Sequence, residues 1–153
     1  MNSDIMTTMK EISAAGAFEL MQKDPDVVYL DVRSIPEFEQ GHPIRAINIP
    51  VLHFSPGMGM MPNDDFVRVV EANLPKNKKM VIGCKTGARS ARACEILEAG
   101  GYSDVANVRG GFVGVMDMAG RVVEPGWSLL KLPVCTSCGA DSKYSELSAK
   151  LKK

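Results

Sequence analysis

The sequence predicts an α/β fold, a parallel sheet with helices on both faces. Two observations carry that expectation. Short apolar, β-branched runs alternate with stretches of helical spacing, the order of a parallel sheet wrapped by helices. Asp31, Cys84 and Arg109 each fall at or just past the end of such a run, where open α/β sheets place their sites.

The elements follow in chain order. Ile12 to Lys23 has Ala14, Ala17, Phe18 and Met21 at i, i+3, i+4 and i+7, so it reads as an amphipathic helix with Ser13 as a cap and Asp24-Pro25 as its stop. Val27 to Leu30 is a buried strand. Ser34 opens a brief helix through Phe38, closed at Gly41, and Ala46 to Ile49 is a second strand. Ser55 to Asn63, rich in glycine, methionine and proline, reads as a loop. Asp64 to Asn73 is helical, Lys79 to Gly83 a third strand, and Arg89 to Ala99 a helix closed by Gly100-Gly101. Asp104 to Val108 is a fourth strand. Gly110-Gly111 turns into an expected helix from Phe112 to about Met118, and a terminal helix is expected from Lys143 to Lys153. The chain divides into a domain over 1–133 and a tail over 134–153 that holds a CxxC pair.

Composition narrows the function. The 153 residues suffice for one real core, and 45% hydrophobic with 24% charged is ordinary for a globular protein. Eighteen basic against 18 acidic side chains leave no net charge, which argues against nucleic acid and membrane surfaces as partners. No apolar run approaches the ~18 residues of a membrane helix, and Met1 to Lys10 lacks the pattern of a signal peptide. Four cysteines do not suggest a disulfide framework. The expected location is therefore the cytoplasm, or an organelle after removal of a targeting peptide.

The chemistry centres on Met80-Val81-Ile82-Gly83-Cys84-Lys85-Thr86-Gly87-Ala88-Arg89-Ser90. An apolar strand runs into Cys84, a short loop follows, and a helix begins. Loop amides, a helix N-terminus and two flanking cations all favour a thiolate and make the loop an anion pocket. Thr86, Gly87 and Ala88 offer mainly backbone N–H groups, and Gly87 allows a φ that other residues resist. Arg89 at a helix N-terminus works against the dipole, so its place suggests loop closure or pairing with an anion; Lys85 is a second candidate for the anion. Cys94, mid-helix, reads as core. Asp31, Arg33, Glu37 and His42 read as structural, and His53 has no motif behind it. Met58, Met60 and Met61 read as an apolar lip of the pocket rather than a metal site.

Three segments resemble the signatures of rhodanese-like domains. They are Asp31-Val32-Arg33 with Glu37-Phe38 and Gly41 to Pro50; the loop Cys84 to Ser90; and Val108-Arg109-Gly110-Gly111-Phe112. The likeness covers roughly Ile12 to Pro133. It implies a sulfurtransferase in which a donor such as thiosulfate loads sulfane sulfur onto Cys84, with Lys85, Thr86, Gly87, Ala88 and Arg89 binding the substrate. An acceptor (cyanide, a thiol or a protein) then removes the sulfur, with neither cofactor nor metal. One departure stands out: the family's tryptophan after the glycine pair is Val115 here, and the chain's single tryptophan is Trp127.

Cys135-Thr136-Ser137-Cys138 is a second chemical feature. It reads as an accessory redox pair, Cys135 and Cys138, that accepts sulfur from Cys84 or protects it, or as an idle tail; no second pair completes a zinc site. Three rival functions remain open. Phosphatases and arsenate reductases also ring an oxyanion with a Cys-to-Arg loop, but theirs has five intervening residues, whereas Lys85, Thr86, Gly87 and Ala88 are the only ones here. A non-catalytic binding module and a dithiol reductase centred on Cys135 and Cys138 are the others.

Overall fold

The computed structural model describes residues 10–136 and 141–151. Its centre is a five-stranded, all-parallel sheet built from β1 (Glu11–Ser13), β2 (Val28–Asp31), β4 (Ala46–Asn48), β7 (Met80–Gly83) and β8 (Val105–Arg109), in the spatial order β1-β8-β7-β2-β4. Alternation along the strands sends side chains to opposite faces. Leu30, Ile82, Met80 and Val105 join one buried cluster. Tyr29, Val81 and Val108 join the other.

Each face is closed by helices. α1 (Ala14–Lys23) brings Ala14, Ala17 and Met21 to the Tyr29 side, with Phe38 of α2 (Ile35–Gln40). α3 (Phe66–Asn73) and α4 (Ala88–Ala99) bring Phe66, Val69, Val70, Ala93, Cys94 and Leu97 to the Leu30 side. Ser13 caps α1, its Oγ accepting from the Gly16 N–H at 3.0 Å, as the sequence predicts.

Three expectations are corrected. The stretch read as the start of the first helix is partly strand: Glu11–Ser13 pairs in parallel with Asn107–Arg109. Phe112 to Met118 is not a helix. β9 (Gly114–Met116) pairs antiparallel with β10 (Val122–Pro125), because Gly111 and Gly114 take φ values of 55° and 111° and Val113 and Val115 favour extended backbone. Ser55 to Asn63 is not a plain loop. β5 (Leu52–Ser55) and β6 (Gly59–Pro62) form a hairpin, turned by Gly57 and Gly59 at φ 84° and 81°.

The C-terminal residues pack onto the rest. β11 (Val134–Cys135) pairs antiparallel with β3 (His42–Pro43). In α5 (Tyr144–Ser148), Leu147 is buried in the same cluster as Leu30 and Ile82, and the Asn48 N–H donates to the Ser142 carbonyl at 2.9 Å. Trp127 is fully buried, edge-on to Phe18 and Tyr29, and its Nε1 donates to the Pro133 carbonyl at 2.7 Å.

Candidate active site

Cys84 directly follows the central strand β7 and is 2% exposed. The chain must turn sharply there, and Gly87 supplies the turn: at φ 117° it is the residue before α4, in a region that L side chains avoid. The turn aims two amides at the sulfur. The N–H groups of Gly87 and Ser90 donate to Sγ at 3.1 and 3.3 Å. Both sit at the first turn of a twelve-residue helix, so its unpaired amides and dipole favour negative charge on that sulfur.

Ser90 and Asn107 complete the ring, and the sequence reading missed both. Ser90 Oγ lies 3.4 Å from Sγ but 2.5 Å from Asn107 Oδ1. A hydroxyl has one hydrogen to give, and the shorter contact takes it. Asn107 Nδ2 in turn reaches the Gly87 carbonyl at 3.3 Å. The available signal was a polar Asn107 inside the apolar run Val105-Ala106-Asn107-Val108.

The Gly110-Gly111 turn supports the loop from beneath. Phe112 N–H donates to the Cys84 carbonyl at 2.8 Å and Val113 N–H to that of Lys85 at 2.9 Å. Gly83 is also dictated by contact, since a Cβ there would fall 2.0 Å from the Tyr29 hydroxyl.

The flanking charges divide into pairs and one exception. Arg89 forks onto Glu37, Nη1 to Oε1 at 2.8 Å and Nη2 to Oε2 at 3.0 Å. Glu37 is therefore part of the loop's architecture and not only of helix α2. Burial would raise its carboxyl, but the hydrogen bonds from Arg89 and Ser34 prevail and hold it at about 2. Arg33 chelates Asp31 through Nε and Nη2, donates from Nη2 to the Gly41 carbonyl at 2.7 Å, and lies 4.4 Å over the Phe112 ring. Lys85 is exposed and makes no ion pair with a described residue. Thr86 and Ala88 are also exposed.

Two cavities flank the loop. One, of about 290 Å³, is lined by Arg33, Glu37, Gln40, Gly41, Lys85, Phe112 and Val113. The other, of about 250 Å³, includes Thr86, Gly87, Asn107, Arg109 and Glu124. Met58, Met60 and Met61 line neither; they stand exposed on the β5–β6 hairpin. Cys94 is fully buried in the core, and burial pushes its thiol up to about 12. His42 stacks on Phe38 and its Nδ1 contacts the Phe38 carbonyl at 2.8 Å, a structural role. His53 lies edge-on to Tyr144. Cys135 is disulfide-bonded, opposite His42, and its neighbour Val134 abuts Gly41 of the first cavity. Cys138 lies outside the described residues. Among the described residues no cluster of His, Cys, Asp and Glu could hold a metal, and no helix is long and apolar enough to cross a membrane.

Known proteins resemble this chain in sequence and fold. The family model of the Rhodanese-like domain matches residues 14–117. The chloroplastic Thiosulfate sulfurtransferase 16 of Arabidopsis thaliana is 37% identical over 84 residues, which are 55% of this chain and 69% of that protein. The Sulfurtransferase of Allochromatium vinosum is 32% identical over 105 residues, 69% of this chain and 86% of that protein. The crystal structure of Rv0390 from M. tuberculosis superposes with a TM-score of 0.71 at 25% identity, covering 86% of this chain and 100% of that one. The chain spans about half, 46%, of the length of the first curated relatives it matches.

Proposed function

Because the chain belongs to the rhodanese-like family, we propose that it is a sulfurtransferase whose carrier is a persulfide on Cys84. The observation that carries this reading is the pair of amide hydrogens, from Gly87 and Ser90, aimed at Sγ from a helix N-terminus. They stabilise the Cys84 thiolate, which is the nucleophile that takes up the sulfur and the leaving group when the sulfur is handed on.

In the first half-reaction the Cys84 thiolate attacks the outer sulfur of thiosulfate. The S–S bond of the donor breaks, its electron pair leaves with sulfite, and the transferred sulfur remains on Cys84 as a persulfide. Lys85 meets the anionic donor, Thr86, Gly87 and Ala88 present loop backbone, and Arg89 holds the loop closed through Glu37. In the second half-reaction cyanide, a thiol or a protein thiol attacks the outer sulfur and returns the Cys84 thiolate. Charge balances in both steps, and neither uses a cofactor. The chemistry needs a compartment that keeps Cys84 reduced, such as the cytoplasm or an organelle.

Cys135 and Cys138 are the proposed accessory pair. When reduced, one thiolate takes the outer sulfur from Cys84, and the other attacks the resulting persulfide at its inner sulfur. Hydrosulfide leaves and a disulfide forms. A cellular dithiol reductant then resets the pair.

The deciding experiment supplies the purified protein with thiosulfate plus cyanide and, separately, with arsenate plus thiol and with a phosphate ester. Thiocyanate formation, and a one-sulfur mass increase lost in Cys84→Ser, are expected. Turnover of the oxyanion substrates alone points to the phosphatase or arsenate reductase reading. No turnover and no adduct with any sulfane donor points to a binding module.

A further inference from the structure

Arg33 and Arg89, on the Glu37 side of the Cys84 loop, are each paired with a carboxylate. Arg33 is chelated by Asp31, and both side chains are almost wholly buried. Arg89 is forked by Glu37, whose Oε1 also accepts from the Ser34 N–H at 3.0 Å and Ser34 Oγ at 2.9 Å. The carboxylate is thus fixed by its own helix before Arg89 reaches it, and it holds the guanidinium in one orientation. Charges sum to zero within each pair. Lys85 is the one uncompensated cation among the described residues lining the 290 Å³ cavity. The same cavity has an apolar wall of Phe112 and Val113, and its volume exceeds what a single thiosulfate fills.

We propose that Glu37 is a positioning residue that sets the charge preference of the site: by fixing and neutralising Arg89 it leaves Lys85 as the lone cation, holds down the preference for dianionic donors and admits singly charged organic sulfane donors. This rests on the sulfurtransferase reading above. The donor class is R–SO2–S⁻ or R–S–S⁻, with a small R group against Phe112 and Val113. For a thiosulfonate, the Cys84 thiolate attacks the outer sulfur, the S–S bond breaks, and its electron pair leaves with the sulfinate R–SO2⁻.

The test separates charge from structure. Gln at position 37 can still act in the capping box at the head of α2, but it carries no charge. Alkylation of Cys84 by iodoacetate and by iodoacetamide, followed by peptide mass, reads the charge of the site without any turnover. The iodoacetate-to-iodoacetamide rate ratio is expected to rise about fivefold in Glu37→Gln, as one unit charge at partial exposure would produce. In Lys85→Met, an exposed position whose change spares the fold, the ratio should fall by a similar factor. The ratio of kcat/KM for thiosulfate over methanethiosulfonate should move in the same directions. An unchanged ratio in Glu37→Gln, or equal losses with both reagents, overturns the proposal; so does an unchanged ratio in Lys85→Met, which would give the anion to Arg89. If neither donor turns over in the wild type, the sulfurtransferase reading fails and the donor assignment with it, while the alkylation ratio still decides the role of Glu37.

Discussion

Gly111 lies so close beneath Cys84 that a Cβ on it would stand 2.3 Å from the Cys84 carbonyl oxygen. The Cys84 loop and the glycine turn that follows β8 are therefore one unit, tied also by Phe112 N–H to that same carbonyl. Gly111→Ala adds a clash with rigid backbone to a strained φ of 55°. It should destabilise the fold by about 2–4 kcal/mol and reduce sulfur loading of Cys84 far more than it reduces the folded fraction. Thermal unfolding and persulfide mass together measure this; wild-type loading in the variant would mean that the loop tolerates displacement.

Ser90 and Asn107 form a buried pair that should behave as one. Removing either costs the other its shortest hydrogen bond while leaving it the Gly87 carbonyl at 3.2 or 3.3 Å, a loss of about 1 kcal/mol. The expected result is that Ser90→Ala and Asn107→Ala each destabilise, and that the double variant loses clearly less than their sum. Additive losses in denaturant titrations would show that the 2.5 Å contact contributes nothing of its own.

The Glu37–Arg89 pair should give stability an acid-sensitive component. The Glu37 carboxyl lies at about 2 in the fold against an ordinary value of 4.5. A depressed folded value stabilises above the unfolded one and is lost as pH falls from about 4.5 toward 2. Partial exposure keeps the size modest. Wild type should therefore exceed Glu37→Gln in stability at neutral pH, with the gap closing across that window. A gap that stays constant from neutral pH to pH 2 contradicts the assignment.

Much of this was legible in the sequence, for physical reasons. Strands such as Met80–Gly83 are apolar on both sides, and caps such as Ser13 and stops such as Gly41 are local signals. The position of Cys84 between strand and helix needs no tertiary knowledge. Three things were not legible. The hairpins β5–β6 and β9–β10, where a loop and a helix were expected, depend on which glycines adopt positive φ, which composition does not reveal. Strand β1 exists because β8 offers it an edge. The partner of Arg89 is 52 positions away, and no local pattern joins Glu37 to a helix that distant.

The residues after Pro133 should prove to be part of the cooperative unit. Leu147 is 3% exposed and packs in the cluster that holds Leu30, Ile82 and Leu97, while Asn73 Nδ2 donates to its carbonyl at 3.1 Å. Trp127, the only tryptophan, lies in the other cluster, across the sheet. Because both clusters share the strands β2, β7 and β8, loss of one should weaken the other. Leu147→Ala should lower stability by about 2–4 kcal/mol, and Trp127 fluorescence should report the shift in a single transition. If the C-terminal residues were merely draped on an independent domain, the tryptophan-detected midpoint would stay where the wild type has it.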